Sequence, residues 1–395
     1  MLAEEILQEA RSYEEELISI RRALHEYAEV GFDLIETKAF VVEQLTDMGY
    51  MPRNCGKAGI VATIGEKSKG KTFLLRADMD ALPINEESGE SFTCKSGNMH
   101  ACGHDMHTAM LLGAAKLLKK YEDKLLGTVK LMFQPAEELL EGSKDMIEAG
   151  ILENPKVDAG MMLHVMSGVP IEEGTVVVSA PGISAPSADY FTINVKGKGC
   201  HGSAPQEGID ALAVAAHILI GLQELSAREM SIADKAIITV GSLKAGQASN
   251  VISDAATMKG SIRTYDESLR KYIKKRTQDI AENISKAYRA TADITFDSGT
   301  PTLINDEHLS ESAGKYLAEL TTVISPQGKV SGGGSEDFAY VSHKIPTIMV
   351  ALAAGKPENG YEFPLHHPGV RFNENVLSIG SAVYAYMAIK YLMEE

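Results

Sequence analysis

Residues 72–83 read "TFLLRADMDALP", an apolar run followed by acidic residues and a proline. A short apolar run bounded in this way is typical of a buried β-strand. Three further stretches have a similar form: "GTVKLMFQPAEE" at 127–138, "DAGMMLHVM" at 158–166 and "IPTIMVALAAG" at 345–355. We therefore predict a set of buried strands with chemically active side chains near their ends.

Helical patterns alternate with these strands. Apolar residues recur at helical spacing over residues 2–28, 36–48 and 107–125, and we expect His107 to open the last of these helices. The alternation predicts an α/β fold with a mixed, largely parallel sheet flanked by helices. Ligands of such sheets collect at the carboxyl ends of the strands, where the polar residues stand here.

A second domain is expected because 395 residues exceed what one hydrophobic core usually supports. After the stretch "SAPGISAPSA" the pattern changes to β-α-β-β-α-β, the order of a ferredoxin-like α+β domain. We place this inserted domain at 184–298. The larger domain then comprises residues 1–183 and 299–395.

Composition and charge exclude several classes of partner. The net charge of −16 argues against nucleic acid, which requires a basic face. No stretch approaches the run of about 20 apolar residues that a membrane span needs, so no membrane association is expected. The N-terminal stretch shows no secretory pattern, and the four cysteines form no CxxC pair. The expected location is the cytoplasm.

The stretch "MHACGHDMH" at 99–107 concentrates potential metal ligands. Cys102 and His104 flank Gly103, and the glycine permits the tight backbone path that lets both side chains converge on one ion. An ordinary solvated loop is the alternative, because short motifs often match by chance.

A pair of adjacent carboxylates, Glu137 and Glu138, follows one of the predicted strands. Neighbouring carboxylates repel, which is costly unless a cation is near. One of them can bind a metal while the other activates water. The alternative is a pair of helix N-terminal glutamates favoured by the helix dipole.

Two further segments supply histidines. His164 ends an apolar strand, where a hydrogen-bonded core histidine is the alternative. His366 and His367 stand between prolines in "YEFPLHHPG", where a surface turn is the alternative. Together the candidates offer nitrogen, sulfur and oxygen ligands from four segments. They are Cys102, His104, Glu138, His164 and His366. Five ligands exceed a closed tetrahedral site and suit two ions that share a bridging water.

The chain resembles the bacterial and plant N-acyl-amino-acid amidohydrolases. This family includes hippurate hydrolase, the auxin-conjugate hydrolases and N-acetyl-diaminopimelate deacetylase, and it belongs to a larger set of dinuclear metallopeptidases. The motifs that carry the resemblance are "LRADMDALP", "MHACGHDMH", "FQPAEE", "GKGCHGSAP", "GSIRTYD" and "GGGSEDFAY". It extends in order from "LHEYAEVGF" to "LHHPG", which is nearly the whole chain.

The resemblance implies roles for the candidate residues. The five ligands named above would bind two divalent ions, and Glu137 would act as general base and acid. The ions would be Mn or Zn, with Co or Ni also admitted by the ligand set. The inserted domain would form a lid and a dimer contact, so a homodimer or higher homo-oligomer is expected.

Three residues of the inserted domain match family positions near the substrate. His201 would stabilise the oxyanion, in some relatives from the partner subunit; a lid-surface histidine is the alternative. Asn250 and Arg263 would contact the substrate, and the arginine would clamp a carboxylate bidentately. A strand arginine paired with an acidic neighbour is the alternative for Arg263.

The sequence departs from the wider peptidase set at two places. Asp78-x-Asp80 stands where a His-x-Asp motif supplies a ligand and an orienting acid. We expect Asp80 to support the ligands and Asp78 to have a supporting or structural role. In "LHHPG" we expect His366 to be the ligand and His367 to fill a variable position.

The resemblance implies a hydrolase that cleaves the amide bond of N-acetyl, N-benzoyl or related N-acyl amino acids. Two alternatives remain at this point. The same site suits a dipeptidase or carboxypeptidase, and the same fold suits a non-catalytic metal- or peptide-binding protein. The presence of both Glu137 and Glu138 argues against the latter, because binding alone has no need of the second carboxylate.

Overall fold

The computed structural model describes residues 2–66, 68, 70–325 and 334–394. Gly332 and Gly333 of the "GGGSEDFAY" motif lie outside these residues. The strands are β1 Arg53–Cys55, β2 Gly59–Gly65, β3 Thr72–Asp78, β4 Thr128–Gln134, β5 Ala159–Met166, β6 Val176–Val178, β7 Gly182–Ala185, β8 Ser187–Lys196, β9 Cys200–His201, β10 Ala236–Ala245, β11 Val251–Ile252, β12 Ala255–Thr264, β13 Thr291–Thr300, β14 Leu303–Asn305, β15 Val323–Ile324 and β16 Thr347–Ala353.

The helices lie between these strands and at both ends of the described chain. They are α1 Leu2–Ser12, α2 Glu14–Tyr27, α3 Ile35–Asp47, α4 His104–Lys120, α5 Gly142–Glu148, α6 Ala211–Glu224, α7 Glu267–Ala287, α8 Glu307–Leu317, α9 Ala339–Ser342 and α10 Leu377–Met393. The described residues divide into two units. One holds residues 2–184, 304–325 and 336–394, and the other holds 185–303 with 334 and 335.

The first unit contains a sheet of eight strands among the described residues, in the order β1-β2-β4-β3-β5-β16-β6-β15. Its centre, β4-β3-β5-β16, is parallel, and antiparallel pairs flank this centre at β2–β4 and β16–β6. Strands β3 and β4 are buried along their whole length, which explains why apolar residues dominate both. The buried charged residues Arg76, Asp78 and Lys130 are exceptions to this pattern. The prediction of a mixed, largely parallel sheet is confirmed.

Two helix predictions need correction. The helix predicted over 2–28 is interrupted at Tyr13, so that α1 packs mainly on α10 and α2 mainly on α4. The prediction that His107 opens its helix was wrong, because α4 already begins at His104. Gly103 precedes it with a left-handed φ of 83°.

The expectation that no stretch approaches the apolar length of a membrane span needs correction at helix α10. The segment Glu374–Met393 is long and apolar enough, by length and composition, to cross a membrane. The expectation missed it because serine, glycine and tyrosine interrupt its aliphatic residues. In the structure 83% of the most apolar 18-residue stretch of this segment is buried, and α10 packs against α4 and α1. This burial is the pattern of a core helix.

The second unit is built on an antiparallel sheet in the order β10-β12-β8-β13. Helices α6 and α7 pack against this sheet and each other, and the chain order β-α-β-β-α-β is the ferredoxin-like order that the sequence predicted. The predicted boundary after residue 298 falls inside β13, so the chain leaves this unit only after Leu303. The catalytic and lid functions of the two units remain predictions.

Candidate metal centre

The turn before α4 brings Cys102 and His104 to the carboxyl end of the sheet. Gly103 lies between them with a φ of 83°, a region that favours glycine. A Cβ atom at Gly103 would lie 2.4 Å from Val165 Cγ2, so a side chain there would push the turn away from β5. The glycine is therefore required both by the backbone conformation and by the close approach to β5.

The imidazole of His104 is oriented by the backbone. Its Nδ1 lies 2.8 Å from the carbonyl oxygen of Asp80, an acceptor, so Nδ1 carries the proton. The buried Nε2 has no hydrogen-bond partner among the described residues. Despite burial, the charge of Asp78 raises the pKa of His104, so that a metal ion competes with a proton for this nitrogen.

His164 and His366 approach Cys102 from two other segments. His164 donates from Nδ1 to its neighbour's carbonyl, Val165 O, at 2.7 Å, and its Nε2 lies 3.5 Å from Cys102 Sγ. His366 Nε2 lies 3.2 Å from the same sulfur and 3.4 Å from Glu138 Oε1. The two ring nitrogens and the carboxylate therefore converge on one thiol.

These side chains form two overlapping groups. Within each group, one ligand atom per residue lies within 4.8 Å of the others; one group is Cys102, His104 and His164, and the other is Cys102, Glu138 and His366. Cys102 belongs to both. Burial raises the pKa of its thiol, and a bound cation is the ordinary means of stabilising a buried thiolate.

The adjacent glutamates are held by Asp80. Its two carboxylate oxygens accept hydrogen bonds from the backbone N–H groups of Glu137, at 3.0 Å, and Glu138, at 3.1 Å. Burial raises the pKa of Glu138 to about 7. Burial and then the charges of Glu336 and Glu138 raise the pKa of Glu137 well above its ordinary value. Glu137 Oε2 lies 3.9 Å from His104 Nε2.

The charge of the centre calls for cations. Six carboxylates lie in or beside it, namely Asp78, Asp80, Glu137, Glu138, Glu336 and Asp337. Buried carboxylates of like charge are costly unless positive charge compensates them. The unpartnered His104 Nε2, the shared thiol and this excess of negative charge together fit two divalent ions.

A buried arginine lies beneath the centre, and no role was predicted for it. Arg76 is fully buried on β3 and donates to Asp78 Oδ2 at 2.6 Å, Glu336 Oε1 at 2.8 Å and Asp337 Oδ1 at 3.2 Å. Its Nε donates to Gln134 Oε1 at 2.8 Å. A charged residue inside the apolar pattern "TFLLRAD" was the available signal, because a buried charge needs partners.

His367 has a different environment from its neighbour. Its ring stacks on Phe363 with centroids 4.1 Å apart, and its Nδ1 accepts a hydrogen bond from Gly369 N at 3.0 Å. His366 instead has a left-handed φ of 66° and donates its backbone N–H to Ala101 O at 2.9 Å. The two adjacent histidines therefore have separate contacts, and it is His366 that lies beside Cys102.

The remaining predicted site residues lie in the second unit. His201 on β9 pairs with Val251 of β11, and the backbone of Asn250 accepts from Gly202 N at 2.8 Å, so His201 and Asn250 lie in one short ladder. Arg263 lies on β12 and donates to Ser335 Oγ and Tyr190 OH, at 2.6 and 2.7 Å. These partners are hydroxyl groups rather than the acidic neighbour considered for this arginine.

Comparison with known proteins gives consistent matches. Residues 74–390 match the profile described as "Peptidase family M20/M25/M40". The chain is 37% identical to the N-acetyl-L-cysteine deacetylase of Bacillus subtilis, over 96% of this chain and 89% of that protein. It is 35% identical to thermostable carboxypeptidase 1 of Saccharolobus solfataricus, over 99% of both. A Bacillus subtilis structure described as a dinuclear metal binding peptidase of family M20 superposes with a TM-score of 0.78 at 33% identity, covering 96% and 99% of the chains.

Proposed function

Because this chain belongs to the peptidase family M20/M25/M40, we propose that it is a metal-dependent amidohydrolase of N-acyl amino acids. Its products are a carboxylic acid and a free amino acid. The observation that carries the proposal is the pair of ligand groups sharing Cys102, with a second glutamate, Glu137, buried beside them. A deacetylase among the relatives supports the N-acyl substrate class.

The ligands of the two ions are Cys102, His104, Glu138, His164 and His366. Mn or Zn suits this set; Co and Ni are also compatible with it, and the thiolate favours Zn. Two divalent ions, when bound, lower the pKa of a water molecule and polarise the amide carbonyl. The protein itself must orient the ligands, exclude water and move the proton.

Glu137 moves the proton in this proposal. Its carboxylate accepts a proton from the attacking water, the new C–O bond forms, and the proton passes to the amide nitrogen as the C–N bond breaks. Asp80 fixes the backbone at both glutamates and so holds their side chains in place relative to each other. His201 is proposed to stabilise the oxyanion, and Asn250 and Arg263 to contact the substrate.

The test is Glu137→Gln assayed on metal-loaded protein. We expect metal binding to persist and kcat to fall by about 10²–10⁴-fold, the usual contribution of a general base. Glu141→Gln, an acidic neighbour at the start of α5, is the matched control and should keep its turnover. Retained turnover in Glu137→Gln would remove Glu137 from the mechanism.

A carboxypeptidase activity is the second candidate, because a relative of nearly equal identity carries that name. A substrate panel separates the two. Stripped protein is reloaded with Mn or Zn and offered N-acetyl, N-benzoyl and indoleacetyl amino acids beside dipeptides. Preference for acylated amino acids supports the amidohydrolase, and exclusive cleavage of dipeptides supports the second candidate. Metal uptake without any turnover would favour a binding protein.

We also propose that the protein forms a homodimer and is located in the cytoplasm. Strand β10 lies at the edge of the second unit's sheet with Ile237 and Leu243 exposed, which suits pairing in a homodimer. All four cysteines are in the described residues and are unpaired, which suits a reducing cytoplasm.

A further inference from the structure

The hydrogen bonds of His107 define its tautomer and use both ring nitrogens. Nε2 accepts from the backbone N–H of Val165 at 2.9 Å, so this nitrogen carries no proton. Nδ1 lies 2.6 Å from Asp78 Oδ1 and donates to it. The ring is fully buried. With both nitrogens engaged, His107 has no lone pair left for an ion, although it lies within a few ångströms of the ligand histidines.

His107 connects three elements that carry or support ligands. It lies on α4, one turn after His104, and its ring centroid is 5.5 Å from that of His104. Its partner Val165 follows His164 on β5, and the rings of His107 and His164 meet edge to face at 4.6 Å. Its other partner, Asp78, is the last residue of β3. One side chain thus touches both ligand histidines and bonds to the two strands beside them.

Asp78 is itself held firmly. Arg76 Nη1 donates to Asp78 Oδ2 at 2.6 Å, and Thr108 Oγ1 donates to the Asp78 backbone carbonyl at 2.7 Å. The same Asp78 Oδ2 lies 3.6 Å from His104 Nε2. Arg76 therefore holds the Asp78 carboxylate on β3, and Thr108, which lies on α4 beside His107, joins the Asp78 backbone to the same helix. The carboxylate gives His107 a fixed anchor on β3.

We propose that His107, anchored on Asp78, is a positioning residue that sets the spacing between His104 and His164 before any ion binds. The inference rests on the proposed metal centre and assigns to it a residue that binds no metal. Outer contacts of this kind typically change metal affinity by about 10–100-fold when they are removed. The physical reason is preorganisation: without the His107 bonds, α4 and β5 must be brought into register when the ion binds.

Three substitutions of His107 remove its two hydrogen bonds, to Val165 and to Asp78, either together or one at a time. His107→Phe keeps the ring volume and removes both. His107→Gln keeps an acceptor at the reach of Nε2 for Val165 N–H, and His107→Asn keeps a donor at the reach of Nδ1 for Asp78. We expect His107→Phe to bind Zn or Mn about 10–100-fold more weakly, with the other two variants between it and the wild type. Competition with a chelator measures the affinities.

A spectroscopic readout separates positioning from general loss of packing. Co²⁺ bound beside Cys102 gives thiolate-to-metal and ligand-field absorption that reports coordination geometry, and we expect these bands to shift in the His107 variants. His100→Phe is the matched control. His100 is also buried, in the same segment, and its ring nitrogens have no hydrogen-bond partner among the described residues. The Co²⁺ absorption bands and the metal affinity of His100→Phe should match those of the wild type.

The outcomes distinguish this inference from the proposed function. If the wild type binds neither Zn, Mn nor Co, the proposed centre fails and the inference fails with it. If the wild type binds metal and the Gln and Asn variants of His107 match it in affinity and spectrum, only the inference is overturned. A graded loss, with His107→Phe the weakest binder and the two single-bond variants intermediate, supports it. If His107→Phe does not fold, the Gln and Asn variants decide: weaker binding with shifted Co²⁺ bands supports the inference.

Discussion

Arg76 offers a prediction whose size can be worked out from its contacts. Arg76→Met keeps much of the side-chain volume but removes the charge that bonds Asp78, Glu336 and Asp337. Breaking a buried ion pair by removing one partner typically costs about 3–5 kcal/mol. A carboxylate left without its partner can instead take up a proton, which for an aspartate costs about 4 kcal/mol at pH 7, or about 1.4 kcal/mol for each pH unit above its ordinary pKa.

The two costs agree, so we expect Arg76→Met to lower the free energy of unfolding of the first unit by about 4 kcal/mol at pH 7. The loss should shrink as the pH falls. In the wild type, burial opposes ionisation, yet Arg76 and the nearby histidines hold the pKa of Asp78 well below its usual range. Between pH 7 and 5 the wild-type carboxylate therefore stays charged. In the variant, the cost of protonating the carboxylate falls by about 1.4 kcal/mol for each pH unit, so the variant recovers part of its stability.

The measurement is urea unfolding of metal-free protein, followed by far-UV circular dichroism at pH 7 and pH 5. Arg22→Met is the matched control, because Arg22 is about half exposed and pairs with Glu374 at 2.6 Å. Removal of such a surface pair should cost less than about 1 kcal/mol at either pH. The reasoning is refuted if Arg76→Met costs less than about 1 kcal/mol at pH 7, or if its cost is the same at both pH values.

Two further predictions concern the turn before α4 and its surroundings. Gly103→Ala should lower the free energy of unfolding by about 1–3 kcal/mol and weaken metal binding, because its Cβ would lie 2.4 Å from Val165 Cγ2. Calorimetry measures the first effect and equilibrium dialysis the second. Gly89→Ala is the control for backbone strain alone, because Gly89 has a φ of 79° and open space around it. Burial opposes protonation of His25, but its bond to Asp105 prevails and raises its pKa to about 8. Protonated His25 therefore adds about 2 kcal/mol to the free energy of unfolding. This stabilisation should be complete below about pH 6.5 and lost as the pH rises through about 8. Urea unfolding across this pH range measures the free energy of unfolding of the wild type and of His25→Gln. The difference between the two should decrease as the pH rises, and a difference that does not change with pH would contradict the prediction.

The sequence determined the fold class through local patterns. Strands β3, β4, β5 and β16 are short, mostly apolar runs, and each was predicted from its own residues because a strand that is largely buried on both faces is rich in apolar side chains. The types of the metal-centre residues were equally visible, since thiol, imidazole and carboxylate groups follow those runs. Helix starts were less visible, because the start of α4 depends on the left-handed Gly103.

Only the tertiary structure decided how these groups are used. Arg76 meets Glu336 across 260 positions of sequence, and Cys102 meets His366 across 264. Neither pairing leaves a local pattern, because side chains that meet only after folding have no fixed spacing in the chain. The protons on His104, His164 and His107 depend on which carbonyl, amide or carboxylate each ring faces. Sequence specified which groups were present at the ends of the strands; folding specified which lone pairs remain free, because burial and hydrogen bonding act in three dimensions.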